Sequence, residues 1–151
     1  SKRLLSKAQQ QNSVVSMTLL DLDHFKQIND TYGHQIGDWV LREVVRALSD
    51  VCDDTMTLGR LGGEEFGIVI TDCNAERGLA VAEACRAAIE NISSKPTGHR
   101  FTLTASFGVA DTSQAGYHFE NVSSACDLAL YQSKQYGRNR VYEYDSKMNP
   151  I

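Results

Sequence analysis

Long hydrophobic runs are absent from the sequence: no stretch of roughly 18 apolar residues, the length that a membrane-spanning helix needs, occurs in it. The first residues also lack the basic and then apolar segments that mark a secretory signal peptide. Basic residues are not in excess, since 15 Lys and Arg stand against 19 Asp and Glu and the formal net charge is −4. Domains that bind nucleic acids are usually basic. We therefore expect a cytoplasmic domain that contacts neither membrane nor nucleic acid.

Closely spaced cysteines are absent as well. The chain contains four cysteines and no C-x-x-C pair: Cys52, Cys73, Cys85 and Cys126. Structural zinc sites need closer ligand spacing, and small disulfide-rich secreted domains contain a higher proportion of cysteine. These cysteines are therefore predicted to be reduced and structural.

The length of the chain, 151 residues, is that of one ordinary domain. A chain of this size buries roughly 68–70% of the surface that its unfolded form exposes, so it can form a core without disulfides or metals. The helix predicted at its start lacks a capping residue. We expect residues 1–151 to be a single domain, the C-terminal part of a longer chain.

Hydrophobic periodicity predicts alternating helices and strands. Helices are predicted over residues 2–11, 35–51, 74–91 and 119–136, and strands over residues 14–20, 55–61, 65–70, 100–110 and 140–144. Gly62-Gly63 between two strand-like runs is typical of a β-hairpin turn, and segment 24–33 is polar and punctuated by turn-forming residues. This order predicts an α/β (α+β) fold: a ferredoxin-like core with additions, in which helices flank a mixed, mostly antiparallel sheet of about five strands.

Two acidic pairs occupy constrained positions. Asp21 and Asp23 follow a buried strand, and strand ends in α/β folds face the ligand crevice. Glu64 and Glu65 lie at the predicted hairpin turn. Carboxylates grouped without His or Cys suit hard cations such as Mg²⁺, which are usually shared with substrate phosphates. Any one of these acids alone could be a solvated turn residue, but the two pairs together favour a metal site.

Three motifs follow one another along the chain. They are DLDHFKQINDTYGHQIGD at 21–38, RLGGEEF at 60–66 and ALYQSKQYGRN at 129–139. In this order and at this spacing, the sequence resembles the GGDEF domain of diguanylate cyclases, with the signature written GGEEF. The motifs span residues 21–139, so the resemblance covers most of the chain.

The resemblance implies an enzyme that condenses two GTP molecules into cyclic di-GMP and releases two pyrophosphates. It implies catalysis by a two-fold homodimer, with Mg²⁺ or Mn²⁺ as cofactor and a sensory region preceding the domain. Two alternatives stay open. One is a catalytically silent module that binds GTP or takes part in cyclic di-GMP signalling, and the other is a nucleotidyltransferase that uses adenine.

The resemblance also implies the metal ligands and the catalytic residues. Asp21 and Glu64 would hold the metal, with the Leu22 carbonyl as a further ligand and Glu65 close by. Glu64 and Glu65 would be the catalytic carboxylates. Two bound metal ions would polarise the α-phosphate and lower the pKa of the attacking ribose 3′-hydroxyl.

Nucleotide-binding residues are implied in the same way. Asn29 and Asp38 match guanine-binding positions; a carboxylate accepts hydrogen bonds from guanine N1–H and N2–H₂, whereas adenine has no proton on N1. Their structural alternatives are a loop residue and an acid near a helix N-terminus. The implied phosphate-binding residues are Phe25 through its backbone, Lys26, Gly62, Gly63, Lys134 and Arg138.

The sequence departs from the family pattern in two segments. Many diguanylate cyclases carry an R-x-x-D product-inhibition motif upstream of the signature, and Asp53 and Met56 stand at the matching positions here. No arginine is present to clamp the product, so no product-inhibition site is expected. The stretch D-x-L-T-x-L-x-N-R that usually opens the domain is reduced to residues 2–5, which is why we expect a longer parent chain.

Overall fold

The computed structural model of the chain describes residues 2–148. Its helices are α1 (Lys2–Gln10), α2 (Phe25–Tyr32), α3 (His34–Val51), α4 (Ala75–Glu90), α5 (Thr112–Ala115) and α6 (Phe119–Gln135), and a 3₁₀ turn spans Lys95–Thr97. Its strands are β1 (Ser16–Leu22), β2 (Met56–Gly62), β3 (Glu65–Ile70), β4 (Ala105–Asp111) and β5 (Val141–Glu143). This order agrees with the predicted alternation and adds the short helices α2 and α5.

The sheet has the strand order β2-β3-β1-β4-β5. Strand β1 lies at its centre and pairs antiparallel with both β3 and β4, whereas β5 runs parallel to β4. Every residue of β1 is buried, as expected for an apolar strand that has neighbours on both sides. The prediction of a mixed, mostly antiparallel sheet flanked by helices is confirmed.

Side-chain alternation along β1 divides the core into two layers. Leu20 and Leu22 pack into the cluster formed with α3 and α4. Met17 and Leu19 point to the opposite face, where they pack with residues of α1 and α6. Because successive side chains of a strand point to opposite faces, Asp21 lies on the same face as Leu19. The alternation thus directs one acid of the first motif towards α6.

Helix α2 occupies the segment that looks like a polar connection in the sequence. Phe25 and Ile28 are buried in the core, and Tyr32 packs against it. Their spacing is that of one helix face. Three apolar residues separated by polar ones are too few to predict a helix from the sequence. The helix begins directly after His24, which takes a left-handed conformation at φ 57°.

The first and fourth strands begin and end later than predicted. Strand β1 continues to Leu22, so Asp21 lies inside the strand and not beyond its end. Strand β4 begins at Ala105, and the preceding segment carries Phe101 to stack on Tyr32 with ring centroids 5.0 Å apart. This aromatic contact holds Phe101 against α2.

The cysteines are all free, in agreement with the prediction of reduced thiols. Burial raises the pKa of Cys85 to about 12 and also raises that of Cys126. These buried thiols therefore stay protonated near neutral pH. Within residues 2–148, no helix is long and apolar enough to cross a membrane.

Candidate active site

The centre of the candidate site is Asp21, on the central strand. Its neighbours across the sheet are Glu65 on β3 and Ser106 on β4. Cross-strand partners share one face, with Cβ atoms about 5 Å apart. Asp21 is 8% exposed, and its Oδ2 accepts a hydrogen bond from Lys134 Nζ. The other oxygen, Oδ1, is buried and has no hydrogen-bond partner among the described residues.

An unpaired buried carboxylate oxygen is costly, because it has lost its water without gaining another donor. Such an atom is explained when a ligand supplies the missing partner. Lys134 neutralises part of the charge on Asp21 but leaves Oδ1 free to bind a cation. The burial and bonding of Asp21 therefore fit a metal ligand.

The hairpin between β2 and β3 brings the second acidic pair to Asp21. Gly62 pairs with Glu65, and the register shifts between Arg60 and Gly62. The turn consequently consists of Gly63 and Glu64, one residue later than the predicted Gly62-Gly63 turn. The predicted hairpin is confirmed, but the predicted position of its turn is wrong, because the register irregularity between Arg60 and Gly62 places an extra residue in β2.

The turn is fixed in place by two hydrogen bonds. The Leu22 backbone N–H donates to the Glu64 carbonyl oxygen at 3.2 Å, and Arg60 Nε donates to the Gly63 carbonyl oxygen at 2.9 Å. The backbone of Glu64 is thereby attached to β1 directly after Asp21. The acidic pairs, far apart in sequence, are neighbours at this edge of the fold.

The predicted acids do not form a closed metal cage. Within residues 2–148, no group of three or more His, Cys, Asp or Glu side chains is close enough to hold an ion. Mg²⁺ usually keeps several waters and is held by one or two carboxylates together with substrate phosphates. Asp21, with its unpaired Oδ1 and with Glu65 opposite it on β3, fits one carboxylate ligand of a divalent cation that is shared with a bound nucleotide.

Asp23 has a different role from Asp21, although the two acids belong to one motif. It is 6% exposed, and its oxygens accept hydrogen bonds from Ser106 Oγ at 2.7 Å, Thr104 Oγ1 at 2.7 Å and the Asn139 backbone N–H at 3.0 Å. Its carboxylate is fully used by protein donors. Asp23 is therefore an anchor for the surrounding loops.

The predicted guanine-binding residues meet where α2 and α3 join. An added Cβ at the buried Gly37 would lie 1.7 Å from Asn29 Oδ1, so the Asn29 amide lies directly over the first turns of α3. Asp38 follows Gly37 and is exposed. The structure thus brings the side chain of Asn29 to Gly37, next to Asp38. Asn29 is half-buried and Asp38 is exposed, so a ligand can reach both side chains.

The predicted phosphate-binding cations lie around the edge of the sheet that carries Asp21. Lys134 is in α6 and binds Asp21. Arg138 lies beyond the end of α6, with its own backbone at φ 62°, so these two residues do not share a helix face. Within residues 2–148, the Arg138 guanidinium has no hydrogen-bond partner, and Lys26 is exposed on α2.

Phe25 and the hairpin glycines suit a close approach by phosphate. The Phe25 ring is buried, and its backbone N–H lies in the first turn of α2, where such groups lack helical partners. A Cβ at Gly62 or Gly63 would meet nothing within 4 Å. The space above the hairpin is therefore open to a ligand.

Comparison with known proteins places this chain in a family. The chain matches the model described as diguanylate cyclase, GGDEF domain, over residues 1–140. It is 38% identical over 132 residues to diguanylate cyclase A of Treponema denticola, which covers 87% of this chain and 36% of that protein. It is 38% identical over 130 residues to diguanylate cyclase VdcA of Vibrio cholerae, covering 84% of this chain and 38% of that protein. The chain thus spans about a third of the length of these relatives.

Solved structures indicate the same family as these relatives. The active GGEEF domain of a diguanylate cyclase from Vibrio cholerae superposes with a TM-score of 0.88 at 28% identity, covering 96% of this chain and 92% of that one. The GGDEF domain of DgcB from Caulobacter crescentus in complex with c-di-GMP gives 0.85 at 32% identity, covering 94% and 84%. The resemblance read from three short motifs extends through nearly the whole fold, and the chain belongs to the GGDEF domain family of diguanylate cyclases.

Proposed function

We propose that this chain is a diguanylate cyclase, which condenses two GTP molecules into cyclic di-GMP and two pyrophosphates. The observation that carries the proposal is the state of Asp21: a buried carboxylate with one unpaired oxygen, bound to Lys134 and opposite Glu65. The named relatives are diguanylate cyclases. A cytoplasmic location, a preceding sensory region, a single domain over residues 1–151 and the lack of membrane or nucleic-acid contacts stay predictions.

We assign the metal-binding role to Asp21, Glu64, Glu65 and the Leu22 carbonyl. The family points to a divalent cation, and the oxygen donors favour Mg²⁺ or Mn²⁺. When bound, such a cation polarises a phosphoryl oxygen and makes a nearby hydroxyl more acidic. The two glutamates are the proposed catalytic carboxylates.

The remaining residues bind and orient GTP. The Asp38 carboxylate accepts hydrogen bonds from the guanine edge, and the Asn29 amide can both donate and accept there. Lys134, whose side chain is 34% exposed, can exchange part of its contact with Asp21 for a phosphate oxygen. The further phosphate-binding assignments are Arg138, Lys26, the Phe25 backbone N–H and the open backbone at Gly62 and Gly63.

The reaction requires two copies of the domain facing each other. Each copy holds one GTP, and the 3′-hydroxyl of each nucleotide attacks the α-phosphate on the other. One phosphodiester bond forms at each α-phosphate while pyrophosphate leaves. A two-fold homodimer supplies both reacting groups at once, whereas one domain alone binds GTP without completing the reaction.

A dimeric form of the chain, incubated with GTP and Mg²⁺, tests this proposal against a silent nucleotide-binding module. The cyclase releases two pyrophosphates for each cyclic di-GMP that it forms. A silent module binds GTP, but no pyrophosphate or cyclic di-GMP accumulates. That second outcome, in a sample shown to be dimeric, would contradict the proposed activity.

Gly37→Ala is expected to weaken GTP binding about tenfold and to leave the fold intact. The added methyl group would occupy the place of Asn29 Oδ1, 1.7 Å away, and the Asn29 amide can turn away because it is the end of a side chain. Calorimetric titration with GTP and with ATP measures the effect. Equal affinities of the wild-type chain for the two nucleotides would contradict the roles of Asn29 and Asp38.

Cyclic di-GMP is expected to cause no allosteric inhibition through the surface around Asp53. Asp53 accepts hydrogen bonds from the Thr55 backbone N–H at 2.9 Å and from Thr55 Oγ1 at 2.5 Å, and these bonds lower its pKa. Its carboxylate repels product phosphates where the family motif carries arginine. Initial rates measured against added product check this, and non-competitive inhibition that Asp53→Ala abolishes would contradict it.

A further inference from the structure

Asn139 connects Asp23, which directly follows the central strand, to helix α4. Its backbone N–H donates to Asp23 Oδ2 at 3.0 Å. Its side-chain Oδ1 accepts from Arg86 Nη1 at 3.0 Å, and its Nδ2 donates to Glu90 Oε2 at 2.5 Å. Each polar group of the Asn139 amide is thus used. We call Asp23, Arg86, Glu90 and Asn139 the Asn139 network.

The α4 end of the Asn139 network is held rigidly. Arg86 Nε and Nη2 donate to Glu83 Oε1 at 2.9 and 2.6 Å, and Nη1 donates to Glu90 Oε1 at 3.2 Å. Charge-assisted bonds of this forked kind fix the plane of a guanidinium. The bonds from Asn139 and Arg86 lower the pKa of Glu90, so its carboxylate stays charged. Arg86 therefore presents Nη1 to Asn139 in one orientation.

The segment that Asn139 anchors has an unusual backbone. Arg138 and Asn139 take positive φ angles of 62° and 47° in succession, a conformation that few residues other than glycine adopt. Such a conformation persists when surrounding contacts determine it. The Asn139 network supplies those contacts on one side of Arg138, and the bond from the Arg138 backbone N–H to the Ser133 carbonyl at 2.9 Å supplies one on the other.

We propose that the Asn139 network positions Arg138 for the phosphates of bound GTP. This inference rests on the proposed function and adds to it a set of residues that do not touch the nucleotide. Arg138 is exposed, and its guanidinium has no hydrogen-bond partner within residues 2–148, although its backbone N–H and carbonyl are both hydrogen-bonded. Arg86 and Glu90 hold Asn139, and Asn139 in turn fixes the backbone conformation that orients the Arg138 side chain.

A double-mutant cycle on nucleotide binding tests the inference. The chain is titrated calorimetrically with a GTP analogue whose α,β-bridging oxygen is replaced by methylene, in the presence of Mg²⁺, so that no turnover is needed. Arg86→Ala is expected to weaken binding about tenfold in the wild-type background. In an Arg138→Asn background, where the side chain tolerates positive φ but has lost its charge, the same change is expected to weaken binding less than about twofold.

Two further variants complete the test. Asn139→Gly keeps the positive φ accessible and removes the amide, so it should reproduce the effect of Arg86→Ala. Arg46→Ala removes an arginine that pairs with Glu43 on the exposed side of α3 and should leave binding unchanged. Circular dichroism verifies the fold of each variant.

An unchanged affinity in Arg86→Ala and Asn139→Gly would overturn the inference. An equal loss in the wild-type and Arg138→Asn backgrounds would also overturn it, because that result reports a general structural effect. If the wild-type chain forms cyclic di-GMP and the cycle shows no coupling, only the positioning role fails. If the wild-type chain binds no guanine nucleotide, the proposed function fails with it.

Discussion

Glu64→Gln is expected to reduce cyclic di-GMP formation at least about thousandfold while GTP binding stays measurable. The change removes a charge from the hairpin turn and keeps the size of the side chain. The backbone bond from Leu22 N–H to the Glu64 carbonyl does not depend on that side chain, so the turn keeps its place. Product formation and nucleotide affinity are measured separately, by chromatography and by calorimetry.

Glu76→Gln is the matched control for this prediction. Glu76 is exposed in the first turn of α4, away from the hairpin, and its replacement should change neither rate nor affinity. A wild-type rate in Glu64→Gln would refute the assignment of Glu64 to the metal. A loss of GTP binding together with loss of the fold would place Glu64 among the structural residues.

Asp21→Asn and Asp23→Asn are expected to fail in opposite ways. Asp21→Asn should lower the rate at least about thousandfold with little change in stability, because its Oδ1 has no partner to lose and Lys134 can turn to solvent. Asp23→Asn should lower the free energy of unfolding by about 2–3 kcal/mol, since an amide N–H₂ would face hydrogen-bond donors in a buried place. Such a loss lowers the melting temperature of a chain of this size by roughly 4–12 °C.

Melting temperature and rate constant, measured on both variants, separate these effects. The account is contradicted if Asp21→Asn proves to be the destabilised variant and retains turnover. It is also contradicted if Asp23→Asn keeps the wild-type melting temperature, because the three hydrogen bonds to the Asp23 carboxylate would then contribute nothing to stability. Both variants change one carboxylate to an amide in the same motif, so each is the control for the other.

The fold was predictable where long periodic segments dominate. Helices α3, α4 and α6 carry apolar residues at helical spacing over many turns, and β1 is a continuous apolar run. Helix α2 was missed because only three of its residues face the core. The hairpin turn was misplaced by one residue because a register irregularity in β2 has no local sequence signal.

The candidate site was predictable only in part. Motif matching singled out Asp21, Glu64 and Lys134, and the structure brings all three to one edge of the sheet. It assigned the metal to Asp21 and no role to Asp23, and it could not predict that Asp23 is a structural anchor, because the partners of Asp23 come from Thr104, Ser106 and Asn139. Contacts between residues so far apart in sequence are set by the tertiary fold, which no local pattern encodes.

Mass spectrometry of the product formed from labelled GTP tests the central claim most directly. A dimeric form of the chain is incubated with Mg²⁺ and an equimolar mixture of unlabelled and ¹⁵N-labelled GTP. The account predicts cyclic di-GMP that includes a species with one labelled and one unlabelled guanosine, because each product joins two nucleotides. Intact GTP, or products that contain a single guanosine, recovered from a verified dimer would contradict it.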